Sequence, residues 1–544
     1  MLGALHYQTG RPDLAVDFMT RAVDEIPRSP GLYTHLGEAL RAVGNYEDAI
    51  DACRRALDLK EVLPDALNTL GASLNALGKR DEAVDALETA IEFQPDNAEA
   101  HANLGNAWRG RGDYDRAVAA YERAIEINPK FAGAISALGM TFQAQGQPEK
   151  AVANFQRVVE LDPNDAITYS NLGAALRSLG KTDDAVMCLR KSIAIRPEFA
   201  AGHTNLGIAL LARGDLDEAV GCYQTGLELK RGISTGPSSH ESAGQREQYN
   251  TYRFTAAHKL RHDIEQFEYL DSRGLLPSSP ITEIDAYKSV LAEVIASHPD
   301  GAVVRLNSSQ RSEIGDTYNR LIHIADAPAM SDNPINGELD HAAIEADFHG
   351  NAPGLTVVDD LLAGDAFEAL RRFCLESTIW YDFNYRGGYL GAYLSEGFGC
   401  GLLFQIVESL RQGLPGIFGD HKLRQMWAYK YDSTMRAIPT HADAAAINVN
   451  FWITPDDANL DPDSGGLVVY KREAPSEWDF DKYNKDHESI AAFLETSDSV
   501  TIPYRQNRAV IFNSNLFHKS DDFRFKEGYE NRRINVTILF GFRS

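Results

Sequence analysis

The stretch NLGAALRSLGKTDDAVMCLRKSIAIRPEFAAGHT, residues 171–204, restarts at residue 205 with NLG, and this 34-residue return decides the fold of the first 230 residues. Glycine recurs at 37, 71, 105, 139, 173 and 207. A second glycine series runs 10, 44, 78, 112, 146, 180 and 214. Alanine recurs at 15, 49, 83, 117, 151, 185 and 219, and proline closes units at 27, 95, 129, 163 and 197. Fixed self-similarity at this period marks stacked helix–turn–helix units. The first glycine and the alanine are small because two helices approach closely there. The second glycine ends a helix in the left-handed conformation. Proline stops the second helix and opens the next unit. One hairpin cannot bury its own apolar face, so neighbours stack into a superhelix. The series give about seven units, the first short of part of its leading helix.

This pattern resembles the tetratricopeptide repeat. Asn103, Asn171 and Asn205 occupy one repeat position, filled elsewhere by His35, Thr69 and Ala137. The NLG pattern resembles the superhelical repeats of O-GlcNAc transferases, where such asparagines line the concave face. By that resemblance these amides, which both donate and accept, grip an extended peptide. The array is expected to recruit a protein or peptide partner.

Outward from the array, the 544 residues are enough for three or four units at roughly 150 residues each, fewer with a repeat array. The formal net charge of −25 repels phosphate backbones, so nucleic acid is not an expected partner. No run of 18 apolar residues offers a membrane span. The start, MLGALHYQTGRPDLAV, lacks the basic-then-apolar pattern of a signal peptide. Five scattered cysteines show neither a disulfide framework nor zinc spacing, and a cytoplasmic location is expected. Residues 231–250, rich in Ser and Gly, read as a linker, and 251–350 as a helical to irregular connector.

From 351 to 544 helices give way to short runs rich in Val, Ile, Phe, Tyr and Trp, among them RQMWAYKYD, INVNFWIT, GGLVVYKR, RAVIFNS and RRINVTILFGF. These predict strands of a barrel or sandwich. RAIPTHADAAAINVNFWIT, residues 436–454, sets His441 and Asp443 two apart at the mouth of one such run. On an extended chain both point to one face, about 7 Å apart along the backbone, and can share a cation. His298 and Asp300 have the same spacing, but at a helix end with Pro299 between them, and read as a helix stop. His518, beside the apolar strand RAVIFNS, supplies a third ligand. Two imidazoles and a carboxylate form the facial triad of non-haem iron oxygenases. Arg533, Asn535 and Thr537 alternate with Ile534, Val536 and Ile538, so an arginine reaches into a pocket and can anchor a dicarboxylate.

This ordered set resembles the Fe(II)- and 2-oxoglutarate-dependent oxygenases of the double-stranded β-helix (jelly-roll) fold, in their prolyl-hydroxylase-like branch. The resemblance covers roughly residues 351–544 and includes Tyr431, ten before the first histidine, and the pair Gly465–Gly466 entering a strand. It implies Fe(II) on His441, Asp443 and His518, with 2-oxoglutarate held by Arg533 and Tyr431. The family usually places its basic residue about ten positions after the second histidine. Arg533 comes 15 after, leaving Arg524 and Arg532 as rivals. Residues 472–500 form an insert whose Trp478 and Tyr483 either cap the site or fold the insert. The resemblance implies a hydroxylase, with the substrate class open between protein, peptide, small metabolite and glycan-linked compound. The alternative is an interaction scaffold with a degenerate barrel.

Overall fold

The repeat glycines face side chains that leave no room for a Cβ. A Cβ on Gly105 would lie 2.6 Å from the ring of Tyr121, and one on Gly71 2.4 Å from Leu87. The second glycine series adopts positive φ, 70° to 103°, from Gly44 to Gly214, each within two residues of a helix end. The computed structural model describes residues 12–232, 252–276, 278–298, 301–383, 388–432 and 438–543. Gly10, nearly all of the linker, and Pro299 and Asp300 lie outside the described residues.

The chain divides into two compact units, Met1–Pro197 and Glu198–Ser544. The first unit is an all-α repeat superhelix. Pro12–Glu25 precedes five helix pairs, the first Pro30–Ala42 with Tyr46–Leu59 and the last Ala166–Ser178 with Thr182–Ile195. Asp and Asn cap several of these helices, as where Asn97 accepts from the Ala100 amide at 3.0 Å.

The sixth pair, Ala200–Arg213 with Leu216–Arg231, continues the 34-residue period but belongs to the second unit. Its end is built into that unit. Lys230 and Arg231 both pair with Glu396, Arg231 at 3.1 Å. The buried Arg231 guanidinium also stacks 4.0 Å from the Tyr381 ring. Lys422 donates to the carbonyls of Ala212 and Arg213 at the end of the first helix, 3.4 and 3.3 Å. Helices Ala257–Ser272 and Ile281–Ser297 follow, with a short antiparallel pair, β1 (Phe254–Thr255) and β2 (Val304–Arg305).

Nine further strands form two antiparallel sheets: β3 (Leu355–Val358), β4 (Tyr389–Tyr393), β5 (Leu423–Tyr431), β6 (Ile447–Trp452), β7 (Leu467–Glu473), β8 (Ser499–Ile502), β9 (Ala509–Asn513), β10 (Leu516–Ser520) and β11 (Ile534–Phe540). The larger sheet runs β3-β9-β6-β11-β5-β4 and the smaller β10-β7-β8. Strand alternation gives the larger sheet two unlike faces. Met426, Ala428, Val449, Phe451, Val536 and Ile538 form an apolar face, all buried. The opposite face carries Asn448, Asn450, Trp452, Asn535, Thr537, Tyr429 and Tyr431, brought level by the register Asn535↔Trp452, Thr537↔Asn450 and Asn535↔Tyr429. This second face meets the smaller sheet. Tyr431, Trp452, Val510 and Phe512 share one core with Leu467, Val469, Ile502 and Leu516. β10, with His518 at its centre, is a strand in its own right, as is β4, whose central Gly391 masks it in the sequence.

Candidate metal centre

A bridge outside the regular strands fixes the centre. The His441 N–H donates to the His518 carbonyl at 3.0 Å, and the His518 N–H to the His441 carbonyl at 2.8 Å. The two imidazoles are thereby held with ring centroids 4.5 Å apart. Each ring spends its Nδ1 on a backbone carbonyl, His441 on Pro439 at 2.9 Å and His518 on Leu516 at 3.1 Å. That network assigns the proton to Nδ1 and leaves both Nε2 lone pairs facing Asp443. His518 Nε2 lies 3.4 Å from Asp443 Oδ2, and His441 Nε2 3.9 Å from Oδ1. One ligand atom from each residue lies within 4.8 Å of the others, and this is the one such group among the described residues.

The electrostatics suit a cation. Burial, then the neighbouring His518, pushes the His441 imidazole down to about 4, so it is neutral at pH 7 and its lone pair is available. Burial alone would raise Asp443. The neighbouring His518 and His441, with the Asn448 amide, hold it below the ordinary carboxylate value. Asp443 therefore supplies negative charge and His441 a neutral nitrogen donor, a combination that suits a divalent metal ion.

Asp443 is oriented from behind. Asn448 donates to its Oδ2 at 2.6 Å, Asn450 donates to the side-chain Oδ1 of Asn448 at 3.0 Å, and Thr537 donates to the side-chain Oδ1 of Asn450 at 3.2 Å. This ladder crosses from β6 to β11 and leaves Oδ1 facing His441. Asn448→Leu is expected to weaken metal binding by roughly 10- to 100-fold while the fold persists. Equilibrium dialysis of Fe(II) beside a thermal melt checks this, and an unchanged affinity would contradict the ladder's role.

Arg533 lies on the same inner face, 1% exposed. Its Nε donates to the Gly465 carbonyl at 2.8 Å and its Nη2 to Gly466 at 3.2 Å. Gly465 has φ +83°, and a Cβ on Gly466 would sit 1.9 Å from the Ile502 carbonyl oxygen, so the glycine pair forms the arginine's cradle. The rings of Tyr431, Phe523 and Trp452 surround the guanidinium at 4.8, 5.2 and 5.9 Å. Arg533 Nη1 and the Tyr431 hydroxyl are buried with no hydrogen-bond partner among the described residues. Burial raises the Tyr431 phenol, opposed by the Arg533 charge. A buried guanidinium without a carboxylate costs several kcal/mol unless an anion joins it. The rivals are placed elsewhere. Arg532 pairs with Glu265 at 2.7 Å and Asp432 at 3.8 Å, and Arg524 is exposed.

A cavity of about 490 Å³ opens on His441 and Asp443, walled by Tyr389, Tyr393, Trp427 and Tyr429. The 472–500 insert contributes Phe480, Asn484 and His487 to its wall. Trp478 and Tyr483 instead fold the insert, in a cluster with Ala442, Ile490, Leu494 and Phe517. The insert grips the residue between two ligands: Asn484 donates to the Ala442 carbonyl at 3.1 Å, and the Ala442 N–H donates to the Tyr483 carbonyl at 3.1 Å. Of the repeat asparagines, Asn103 and Asn171 lie in the first unit and Asn205 in the second. Asn103 donates to Asn68 of the preceding repeat at 2.8 Å, so part of its capacity is engaged within the array. Sequence reading missed Asn448, Asn450, Tyr389 and Tyr393. The alternation of the two asparagines in INVNFW was the available signal.

No helix among the described residues is long and apolar enough to cross a membrane. Comparison with curated proteins gives no match. Among solved structures, the chain is similar to the APC/C hetero-tetramer Cut9–Hcn1, at 18% identity over 42% of this chain and 45% of that one, TM-score 0.38. It is similar to MamA, at 26% identity over 30% of this chain and 97% of that one, TM-score 0.27. It is likewise similar to TTC0263, a thermophilic repeat protein of Thermus thermophilus, at 24% identity over 34% of this chain and all of that one, TM-score 0.30. Tetratricopeptide repeat family models match residues 1–64, 71–108, 98–131, 131–198 and 171–232, so the N-terminal part of the chain is a tetratricopeptide repeat array.

Proposed function

We propose that the second unit is an Fe(II)- and 2-oxoglutarate-dependent dioxygenase of the double-stranded β-helix type, hydroxylating a substrate that the repeat array helps to recruit. The observation that carries this reading is the pairing of the His441, Asp443 and His518 cluster with a buried arginine that has no carboxylate partner. The three ligands account for a metal, and Arg533 accounts for an acid. His441 and His518 would each offer Nε2 and Asp443 would offer Oδ1, its Oδ2 being held by Asn448. Arg533, with the Tyr431 hydroxyl beside it, would hold the distal carboxylate of 2-oxoglutarate in a dry, aromatic-walled seat where charge-assisted hydrogen bonds are strong. The cavity between Tyr389, Trp427 and His441 would receive the substrate next to the metal. When bound, iron and 2-oxoglutarate would supply the chemistry by which dioxygen hydroxylates a C–H bond, one oxygen atom going to the product and the other to succinate, with release of carbon dioxide.

The array's part is partner docking, with Asn103, Asn171 and Asn205 as peptide-contacting amides. The test is spectroscopic and chemical. Adding Fe(II) and 2-oxoglutarate anaerobically to the full chain is expected to produce a weak visible charge-transfer band, and air is expected to yield succinate. Absence of both would leave a repeat scaffold with an inactive barrel.

A further inference from the structure

The cavity beside the triad carries one fixed charge that the proposed chemistry does not use. β5 and β11 are in regular register from Ile534↔Lys430 to Leu539↔Gln425, and then Phe540 pairs with Leu423. Arg424 is the skipped residue. Such a bulge breaks the alternation of faces and re-aims a side chain. Regular alternation would put Arg424 with Met426 and Ala428 on the apolar face. Instead buried Leu423 takes that place, and Arg424 joins Gln425, Trp427 and Tyr429 in lining the cavity. It makes no ion pair among the described residues, and its guanidinium lies 4.8 Å from the ring of Phe542, which is 76% exposed.

The rest of the wall is aromatic. The register Tyr393↔Trp427 and Gly391↔Tyr429 sets an aromatic pair beside a gap. A Cβ on Gly391 would meet the rings of Tyr393 and Tyr429 at 3.1 and 3.4 Å. Glycine there lets the two rings close over the strand, and their hydroxyls meet at 3.2 Å. The result is a strip from Tyr389 to Trp427 that offers apolar surface with polar edges. Aromatic faces alone would favour a cation. Arg424 reverses that preference, because outside the triad it is the only Asp, Glu, Lys or Arg among the described residues lining this cavity. In a chain of net charge −25, an exposed cation set at this cavity by a bulge, with no acid in the lining but Asp443 and no ion pair among the described residues, is placed to take an anion from outside.

We propose that Arg424 anchors an anionic group of the substrate, so that the compound hydroxylated is an acid whose apolar body lies along Tyr389, Tyr393, Trp427 and Tyr429. This rests on the dioxygenase reading of the same cavity. The anionic group is a carboxylate or a phosphate, which Arg binds with the same forked geometry.

The test uses the full chain with Fe(II) and 2-oxoglutarate under anaerobic conditions and three probes: 3-phenylpropionate, 2-phenylethyl phosphate and the neutral 3-phenylpropanamide. Calorimetry gives the ratio of acid to amide affinity within each variant. Wild type is expected to favour at least one acid by roughly 10-fold or more. Which acid wins tells carboxylate from phosphate. Arg424→Lys should keep a preference for acid and Arg424→Gln should remove it. Equal binding of acids and amide, no binding of any probe to wild type, or a preference that survives Arg424→Gln overturns the anchor. If wild type lacks the charge-transfer band and succinate formation yet shows an acid preference that depends on Arg424, the dioxygenase reading fails while the anion site stands.

Discussion

His518→Ala is expected to abolish stoichiometric Fe(II) binding. Losing an outer-shell contact costs roughly 10- to 100-fold in metal affinity, and removing one of three ligands should exceed that range. The main-chain bridge between residues 441 and 518 uses only backbone atoms and survives the substitution. The lost imidazole leaves a space beside Phe512, whose ring packs 4.9 Å from it, so some thermal stability is also lost. Iron content after dialysis, read beside a melting curve that certifies folding, separates the two effects. A folded variant that keeps one iron per chain would remove His518 from the ligand set. His441→Ala should behave likewise and should form no succinate.

Arg533→Met should uncouple 2-oxoglutarate from the protein without emptying the metal site. Truncating one partner of a buried charge pair costs about 2–5 kcal/mol, so the affinity for 2-oxoglutarate should fall by at least ~30-fold. The same loss appears as stability. In wild type, 2-oxoglutarate at one hundred times its Kd should stabilise the folded chain by about 2.7 kcal/mol, and the variant should show little of this at the same concentration. Arg532→Ala gives the opposite pattern. It should lower the baseline melting temperature, because Glu265 loses its cation and the buried Asp432 loses one and keeps Arg261, while the response to 2-oxoglutarate persists. Equal loss of the ligand response in both variants would leave the acid anchor unassigned. Both predictions are checked by anaerobic titration of the visible band and by melts with and without 2-oxoglutarate.

Residues that repeat or alternate were legible in the sequence. The glycine at 105 is read from its period because each unit imposes the same steric demand on it. His441 and Asp443 are read from strand spacing, since a period of two is a property of the backbone. The partners of these residues were not legible. Asn448 sits in a run that reads as a plain buried strand, and only the register of β6 against β11 shows that its polar face is an inner one. Alternation in the sequence already favoured Arg533 over Arg532, but the partner that holds Arg532, Glu265, lies 267 positions earlier and left no sign there. The direction of Arg424 was hidden as well, because a bulge is a mismatch between two strands and neither strand records it alone. The linker reading rests on Ser and Gly content at residues outside the described part of the chain.

The helix pair 200–231 carries a practical consequence for anyone expressing the second unit by itself. A fragment cut where the 34-residue period ends would discard the cations that neutralise Glu396 and bare the Tyr381 ring to water. The sensible excision point is near Pro197, one hairpin upstream, so that the excised piece takes its last repeat with it.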